Sequence, residues 1–370
     1  MAEPFKNLFN QVFIDEMSEH LLAFKVLKDK KDVNKFQTLV FDNEWENREL
    51  KARMRHIATV LRNFLPADYP KACTIIINMV KEVKAGKNGM SLQYMVLADF
   101  VEQYGLDFLE ESITAMEVIT QYASCEFAVR PFIIRYPDKM MKQMLLWSKH
   151  ESFMVRRFAS EGCRPLLPWA MVLHDLKADP SPILPILENL KNDESEFVRK
   201  SVANNLNDIS KNQPQTVIDL AKKWKGKSKN TDWILKHGCR TLLKQGNSEV
   251  LELFGFGNAD SLETMNFVIE NTKVKMGGEL SFSFGLTNKS QDELLVRLEY
   301  AIYLLRANGK HNKKVFKISE KKYPADSCTL IKRKHSFRKV TTRKYYPGLQ
   351  KISIILNGRE FGFYDFKLVC

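Results

Sequence analysis

The sequence predicts a mainly α protein: a HEAT-like helical-repeat solenoid followed by a C-terminal immunoglobulin-like β-sandwich. Three observations point there. Residues 1–258 read as helix after helix. A short helical motif returns after 43 residues, at Val155 and Val198. Near residue 260 the apolar period changes from helical to alternating. The expected domains are therefore 1–258 and 259–370.

Residues 12–28 place Val12, Met17, Leu21, Phe24 and Leu27 at mixed three- and four-residue spacing, the mark of an amphipathic helix. Residues 51–64 repeat it with Met54, Ile57, Val60, Leu61 and Phe64. The pattern continues over 70–84, 91–104, 106–120, 137–147, 151–163, 182–191, 195–210, 214–224 and 230–244. Breakers separate these segments: Pro66 and Pro70, Gly86 to Gly89, Gly105, Pro131 and Pro137, Pro180 and Pro182, Gly226, Gly246.

Several helix starts resemble one another: Glu126-Phe-Ala-Val-Arg130, Ser152-Phe-Met-Val-Arg156 and Glu196-Phe-Val-Arg-Lys-Ser201. Asp232-Trp-Ile-Leu-Lys is a weaker copy. Periods of about 40–47 residues with paired helices characterise HEAT and armadillo repeats, which stack into solenoids.

Beyond residue 259, Leu280, Phe282, Phe284 and Leu286 alternate with other residues, as do Val296, Leu298, Tyr300, Ile302 and Leu304. Alternation is the signature of half-buried strands, and Asn308-Gly309 and Asn357-Gly358 are hairpin dipeptides. Seven strands are expected, near 264–272, 278–288, 293–306, 313–320, 327–338, 349–356 and 360–369. That number of short strands in about 105 residues suggests an immunoglobulin-like sandwich without the Cys–Trp–Cys pattern of antibody domains.

The net charge is +13 and unevenly placed. Residues 259–370 hold 21 Lys and Arg against 11 Asp and Glu, while the first 258 hold 36 against 33. A basic domain of this size points to a polyanion, most often nucleic acid. Apolar runs are far shorter than the roughly 18–20 residues of a membrane span, and the first 30 residues lack an apolar signal core. Six scattered cysteines without a C-x-x-C pair fit reduced thiols in a cytoplasmic protein. Gly226-Lys-Ser lacks the glycine of a phosphate loop, because Ala221 stands in its place. No H-E-x-x-H or G-x-S-x-G occurs, and the histidines do not cluster at metal-ligand spacing. No metal site and no nucleotide cofactor are expected.

One segment stands apart, Val155-Arg-Arg-Phe-Ala-Ser-Glu-Gly-Cys-Arg-Pro-Leu-Leu-Pro-Trp169. Arg157, Glu161 and Arg164 fall at i, i+4 and i+7 on one helix face, and Pro165 and Pro168 end the helix beside Trp169. Spacing alone is equally satisfied by an intrahelical salt bridge on a solvated face. Glu126 opens the preceding copy next to Arg130, and Asp208 lies four residues after Asn204. Equivalent positions of neighbouring repeats would let Glu126, Glu161 and Asp208 converge. Capping and solvation are the other reading of Asn204, Asn205 and Asp208.

Ser160-Glu-Gly-Cys-Arg-Pro-Leu-Leu-Pro-Trp169 and Ala203-Asn-Asn-Leu-Asn-Asp208 resemble the AlkC family of bacterial DNA alkylpurine glycosylases. Glu126-Phe-Ala-Val-Arg-Pro131 is similar to that family's upstream motif, and Met1-Ala-Glu-Pro-Phe-Lys-Asn to its start. The basic tail resembles the immunoglobulin-like domain of one AlkC branch. The resemblance implies a monofunctional, monomeric base-excision repair enzyme acting on double-stranded DNA with alkylated bases. It implies removal of 3-methyladenine, and in this branch of 3-methylcytosine and 1-methyladenine, without base flipping and without a metal or organic cofactor.

The residue types suit that chemistry. A methylated cationic base is already an activated leaving group, and the sugar acquires oxocarbenium character as the bond breaks. A carboxylate beside that cation lowers the barrier and orients water. Glu161 is the expected principal carboxylate, with Glu126 and Asp208 assisting, and Trp169 offers a flat face to sugar or base. Arg157, Arg164, Arg130 and Asn204 are the expected DNA contacts of the helical part. Lys332, Lys334, Arg338 and Lys339 are those of the tail. The competing class is a non-enzymatic HEAT scaffold or a lesion-sensing DNA-binding protein, which base release separates from an enzyme.

Overall fold

The computed structural model describes residues 3–86, 90–340 and 343–370. Met1 and Ala2 of the family-like start, and residues 87–89 of the Gly86 to Gly89 break, lie outside the described residues. The helices are α1 (Gln11–Ala23), α2 (Lys30–Val40), α3 (Leu50–Arg62), α4 (Tyr69–Gly86), α5 (Met95–Tyr104), α6 (Leu109–Ile119), α7 (Val129–Arg135) and α8 (Pro137–Trp147). They continue with α9 (Phe153–Gly162), α10 (His174–Ala178), α11 (Leu184–Leu190), α12 (Glu196–Ile209), α13 (Pro214–Trp224), α14 (Lys229–Gly238), α15 (Arg240–Gln245) and α16 (Ser248–Leu253). The chain forms two compact units, one of 1–217 with 224–238 and one of 218–223 with 239–370.

In the first unit helices pack side by side as a helical repeat: α3 on α5, α4 on α6, α8 on α9, α9 on α12 and α12 on α14. Their apolar stripes form the core, with Val155, Phe158 and Ala159 of α9 and Val198, Val202 and Leu206 of α12 all fully buried. The recurring Val-Arg pair has a structural cause. Arg156 donates to the carbonyls of His150 (3.0 Å) and Glu151 (2.7 Å), and Arg199 donates to those of Asp193 (2.9 Å) and Glu194 (2.7 Å). Each arginine reaches back five and six residues to tie down the turn that precedes its helix. Asp193 accepts from Arg156 at 2.6 Å, so one repeat is fastened to the next.

Several elements depart from the sequence reading, among them the short helices α10 and α16, which lie outside the expected segments. Helix α2 is capped by Asp29, which accepts from the amides of Lys31 and Asp32; this cap is the signal that its sparse apolar pattern hides. Helix α7 contains Pro131, which reads as a breaker but sits in the first turn, where the missing N–H costs nothing. The single helix expected over 230–244 is divided at Cys239 into α14 and α15.

The second unit is a β-sandwich with α15 and α16 attached. Its strands are β1 (Leu262–Ile269), β2 (Lys273–Lys275), β3 (Glu279–Asn288), β4 (Leu294–Leu305), β5 (His311–Tyr323), β6 (Ser327–Ser336), β7 (Gly348–Leu356) and β8 (Arg359–Val369). One sheet has the order β1-β3-β6, the other β2-β8-β7-β4-β5. The strand beyond the seven expected is β2, three residues paired parallel with β8. The alternating sets predicted for the core are there: Leu280, Phe282, Phe284 and Leu286 of β3 meet Leu298, Tyr300 and Ile302 of β4 and Ile352 and Ile354 of β7. The expected boundary at 258/259 falls inside this unit. Gly246, just past α15, packs on Gly358 so closely that a Cβ on Gly358 would stand 2.7 Å from the Gly246 Cα.

His335 lies in this core and bonds the Tyr300 hydroxyl through Nδ1 at 2.9 Å. Burial, with Arg343 adding to it, pushes its pKa from 6.5 down to about 4. The folded protein keeps the ring neutral while the unfolded chain binds a proton below pH 6.5 or so. Stability is therefore full above that pH and falls as pH drops toward 4, by about 3 kcal/mol. Urea melts of the full chain at pH 7 and pH 4.5 check this: His335→Gln is expected to reduce the pH dependence, and an unchanged slope contradicts it.

Candidate active site

The site begins with α9. Its last turn carries Glu161, and Arg157 sits one turn earlier on the same face. The segment before α7 supplies Ser124 and Glu126, the turn after α9 supplies Arg164 and Trp169, and α12 supplies Ser201 and Asp208. Arg157 donates to Glu126 Oε2 at 2.5 Å and to Ser124 Oγ at 2.6 Å, and its other terminal nitrogen lies 3.7 Å from Glu161 Oε1. Arg164 donates to Glu161 Oε1 at 2.6 Å and, through Nε, to Asp208 Oδ2 at 2.8 Å. Ser201 Oγ donates to Glu161 Oε2 at 2.6 Å, and Lys211 Nζ to Asp208 Oδ1 at 2.9 Å. Carboxylates and cations thus alternate in one row: Glu126, Arg157, Glu161, Arg164, Asp208, Lys211.

The row is largely buried, with Glu161 at 6% exposure and Asp208 at 2%. Burial works against the Arg164 charge, but Glu161 and Asp208 together hold its pKa above the ordinary guanidinium value. Both Glu161 oxygens are bonded, which fixes the carboxylate while leaving a lone pair on each. Fixed acceptors of this kind need no reorganisation when positive charge develops beside them.

A cavity of about 230 Å³ opens on this row, and Glu126, Phe127, Glu161, Arg164, Trp169 and Lys51 are among its walls. Trp169 is 69% exposed and has φ +64°, a left-handed conformation rare for a bulky residue. Such outliers persist where the surroundings enforce them, and they cluster at functional sites. Here Arg130 is part of the enforcement. Fully buried, it donates to the carbonyls of Met171 (2.7 Å), Gly162 (3.1 Å) and Pro165 (3.5 Å) and so clamps the turn that carries Trp169.

The structure therefore brings Glu126, Glu161, Arg164 and Trp169 to one cavity and keeps Asp208 and Arg130 apart from it. Asp208 stands behind Arg164, because its carboxylate is committed to Arg164 and Lys211. Arg130 is corrected from a DNA contact to a structural clamp, since three backbone carbonyls surround it and burial lowers its pKa to about 10. Arg157 and Arg164 spend their guanidinium groups on carboxylates and not on a surface open to phosphate; Arg157 also lies 4.8 Å from the Phe197 ring. Asn204 is half-buried on α12. Lys51, Phe127, Ser124 and Ser201 are the site residues the sequence reading missed. Lys51 has no motif, and only the fold brings it to Trp169, 118 residues away. Among the described residues no group of three or more His, Cys, Asp or Glu could hold a metal ion.

In the second unit, Lys332, Lys334, Arg338 and Lys339 are all exposed. Lys332 and Lys334 share one face of β6, while Arg333 points the other way and donates to the Ile318 carbonyl at 2.9 Å. Lys334 lies 3.6 Å from Glu279. No described helix is long and apolar enough to cross a membrane.

A family profile described as "DNA alkylation repair enzyme" matches residues 92–242, the part that carries the carboxylate row. A second, described as "Uncharacterised protein YhaZ, C-terminal Ig-like domain", matches residues 263–370. The chain is 42% identical over 363 residues to the uncharacterised protein YhaZ of Bacillus subtilis (strain 168), covering 98% of this chain and 99% of that one. It superposes on the Pseudomonas fluorescens alkylpurine DNA glycosylase AlkC, bound to DNA containing an abasic site analog, with a TM-score of 0.92 and 30% identity over 100% of both chains. The chain belongs to the DNA alkylation repair enzyme family. Within that family it has the AlkC-like helical repeat followed by the immunoglobulin-like domain, as its motifs suggested.

Proposed function

We propose that this chain is a DNA glycosylase that removes cationic alkylated bases, chiefly 3-methyladenine and also 3-methylcytosine and 1-methyladenine, from double-stranded DNA. The observation that carries the reading is the pair of ordered carboxylates, Glu126 and Glu161, lining the same cavity as the strained, exposed Trp169. The base leaves with the bonding electrons, which neutralise its positive charge, so no general acid is required. Glu161 opposes the positive charge that grows on the sugar, and Glu126 beside it orients the water that adds to C1′ and takes up its proton. Trp169 lies against the deoxyribose. Asp208 acts through Arg164 by fixing the orientation of Glu161.

The reading includes excision without base flipping: Trp169 is 69% exposed at the cavity, where it can meet a lesion that stays near the base stack. In this reading the monomeric chain works in the cytoplasm without a cofactor, with the chemistry in 1–258 and a DNA-gripping domain in 259–370.

Incubation with methylated duplex DNA tests the reading. Free methylated base and an abasic but uncut strand are expected. Binding without release would favour a lesion-sensing protein instead. The grip of the tail is tested separately. Because α15 and α16 pack with the β-sandwich, deleting 259–370 would strip their partner. The cleaner variant replaces Lys332, Lys334, Arg338 and Lys339 by Gln. It is expected to weaken duplex binding and lower the salt slope by up to about 0.9 for each phosphate left without its cation, and an unchanged slope contradicts the role.

A further inference from the structure

We propose that Lys51 is a positioning residue: it holds Trp169 in its left-handed conformation at the mouth of the cavity. This rests on the glycosylase reading for its effect on rate, though not for its effect on Trp169. Lys51 stands in the first turn of α3, an element of the sequence far from the carboxylate row. Its Nζ donates to the Trp169 carbonyl at 2.9 Å and lies 4.8 Å from the centre of the Phe127 ring. Phe127 follows Glu126 in the chain. One ammonium group therefore ties the turn that carries Trp169 to the segment that carries Glu126.

The backbone explains why a tie is needed. A tryptophan at φ +64° does not hold that conformation by its own preference. Arg130 clamps the flanking carbonyls of Gly162, Pro165 and Met171 from inside, whereas Lys51 bonds the carbonyl of Trp169 itself from outside. A cation–carbonyl bond is stronger than a neutral one, and the Phe127 face restricts where the ammonium can sit.

The charges around Lys51 argue against a simple phosphate contact. Asp99 and Glu102 of α5, paired with Arg55 at 3.5 and 2.7 Å, feel its positive charge on one side. Glu126 and Glu161 share its cavity on the other. Lys51 stands between two acidic groups, where its charge is already offset, and its ammonium is engaged by Trp169.

The test uses the full chain labelled with 5-fluorotryptophan, whose five tryptophans give separate fluorine resonances, with Trp169→Phe identifying one of them. In Lys51→Met the Trp169 line is expected to shift or broaden while the other four stay in place. On methylated duplex its kcat for base release falls about 10- to 100-fold, with KM and the salt slope of binding unchanged. Lys51→Arg, which keeps the charge and a donor, restores most of both. A Trp169 line that does not move in Lys51→Met overturns the proposal, as does an activity loss confined to KM with a reduced salt slope. The fluorine readout needs no turnover, so it fails or succeeds independently of the glycosylase reading.

Discussion

Glu161→Gln is expected to slow release of 3-methyladenine about 10²–10³-fold while duplex affinity changes by no more than a few-fold. The substitution is close to isosteric, so the effect isolates the charge. Glutamine still accepts from Ser201 or Arg164 through its carbonyl oxygen. Arg164 retains its two bonds to Asp208 at 2.8 Å, and Arg157 retains Glu126 at 2.5 Å. The row therefore survives and stability drops by only about 1–2 kcal/mol. What disappears is the negative charge facing the sugar when the base departs. Single-turnover rates, with binding measured in parallel, check it. Release at the wild-type rate would remove Glu161 from the principal role.

Arg130→Met is expected to produce the largest loss of stability, about 3 kcal/mol or more, measured by urea unfolding of the full chain. Methionine replaces the arginine stem but leaves the carbonyls of Met171, Gly162 and Pro165 without their buried donor. The turn from 163 to 171 then loses its inner clamp and with it the left-handed Trp169. Base release should fall together with stability, even though Arg130 itself is sealed from the cavity. A stability change below about 0.5 kcal/mol would contradict the assignment of Arg130 as the clamp.

How much of this was legible depends on which physical signal each element leaves in the chain. The β-sandwich is readable because a half-buried strand must alternate, and Leu280 to Leu286 and Val296 to Leu304 do so without interruption. Only β2 escapes, since three residues carry no period. Helix α2 is obscured by a charge-rich sequence whose clearest signal is its Asp29 cap. For the site, spacing draws Arg157 and Glu161 together as i and i+4 neighbours on α9, whereas Arg164, expected on the same helix face, meets Glu161 from the turn just past the helix end. Spacing does not reveal that both arginines are consumed by carboxylates from neighbouring repeats. Burial decides that, and Arg130 shows the cost of ignoring it: a cation that reads as a phosphate grip is a fully buried backbone clamp. Lys51 and Ser201 reach the site only through helix packing, which no local pattern records.

The most direct test compares two duplexes under single-turnover conditions, one with cationic 3-methyladenine and one with neutral hypoxanthine, with the freed base identified by mass. Carboxylates without a general acid predict rapid release of 3-methyladenine and no detectable release of hypoxanthine. Equal release of both bases, or of neither, would contradict the account.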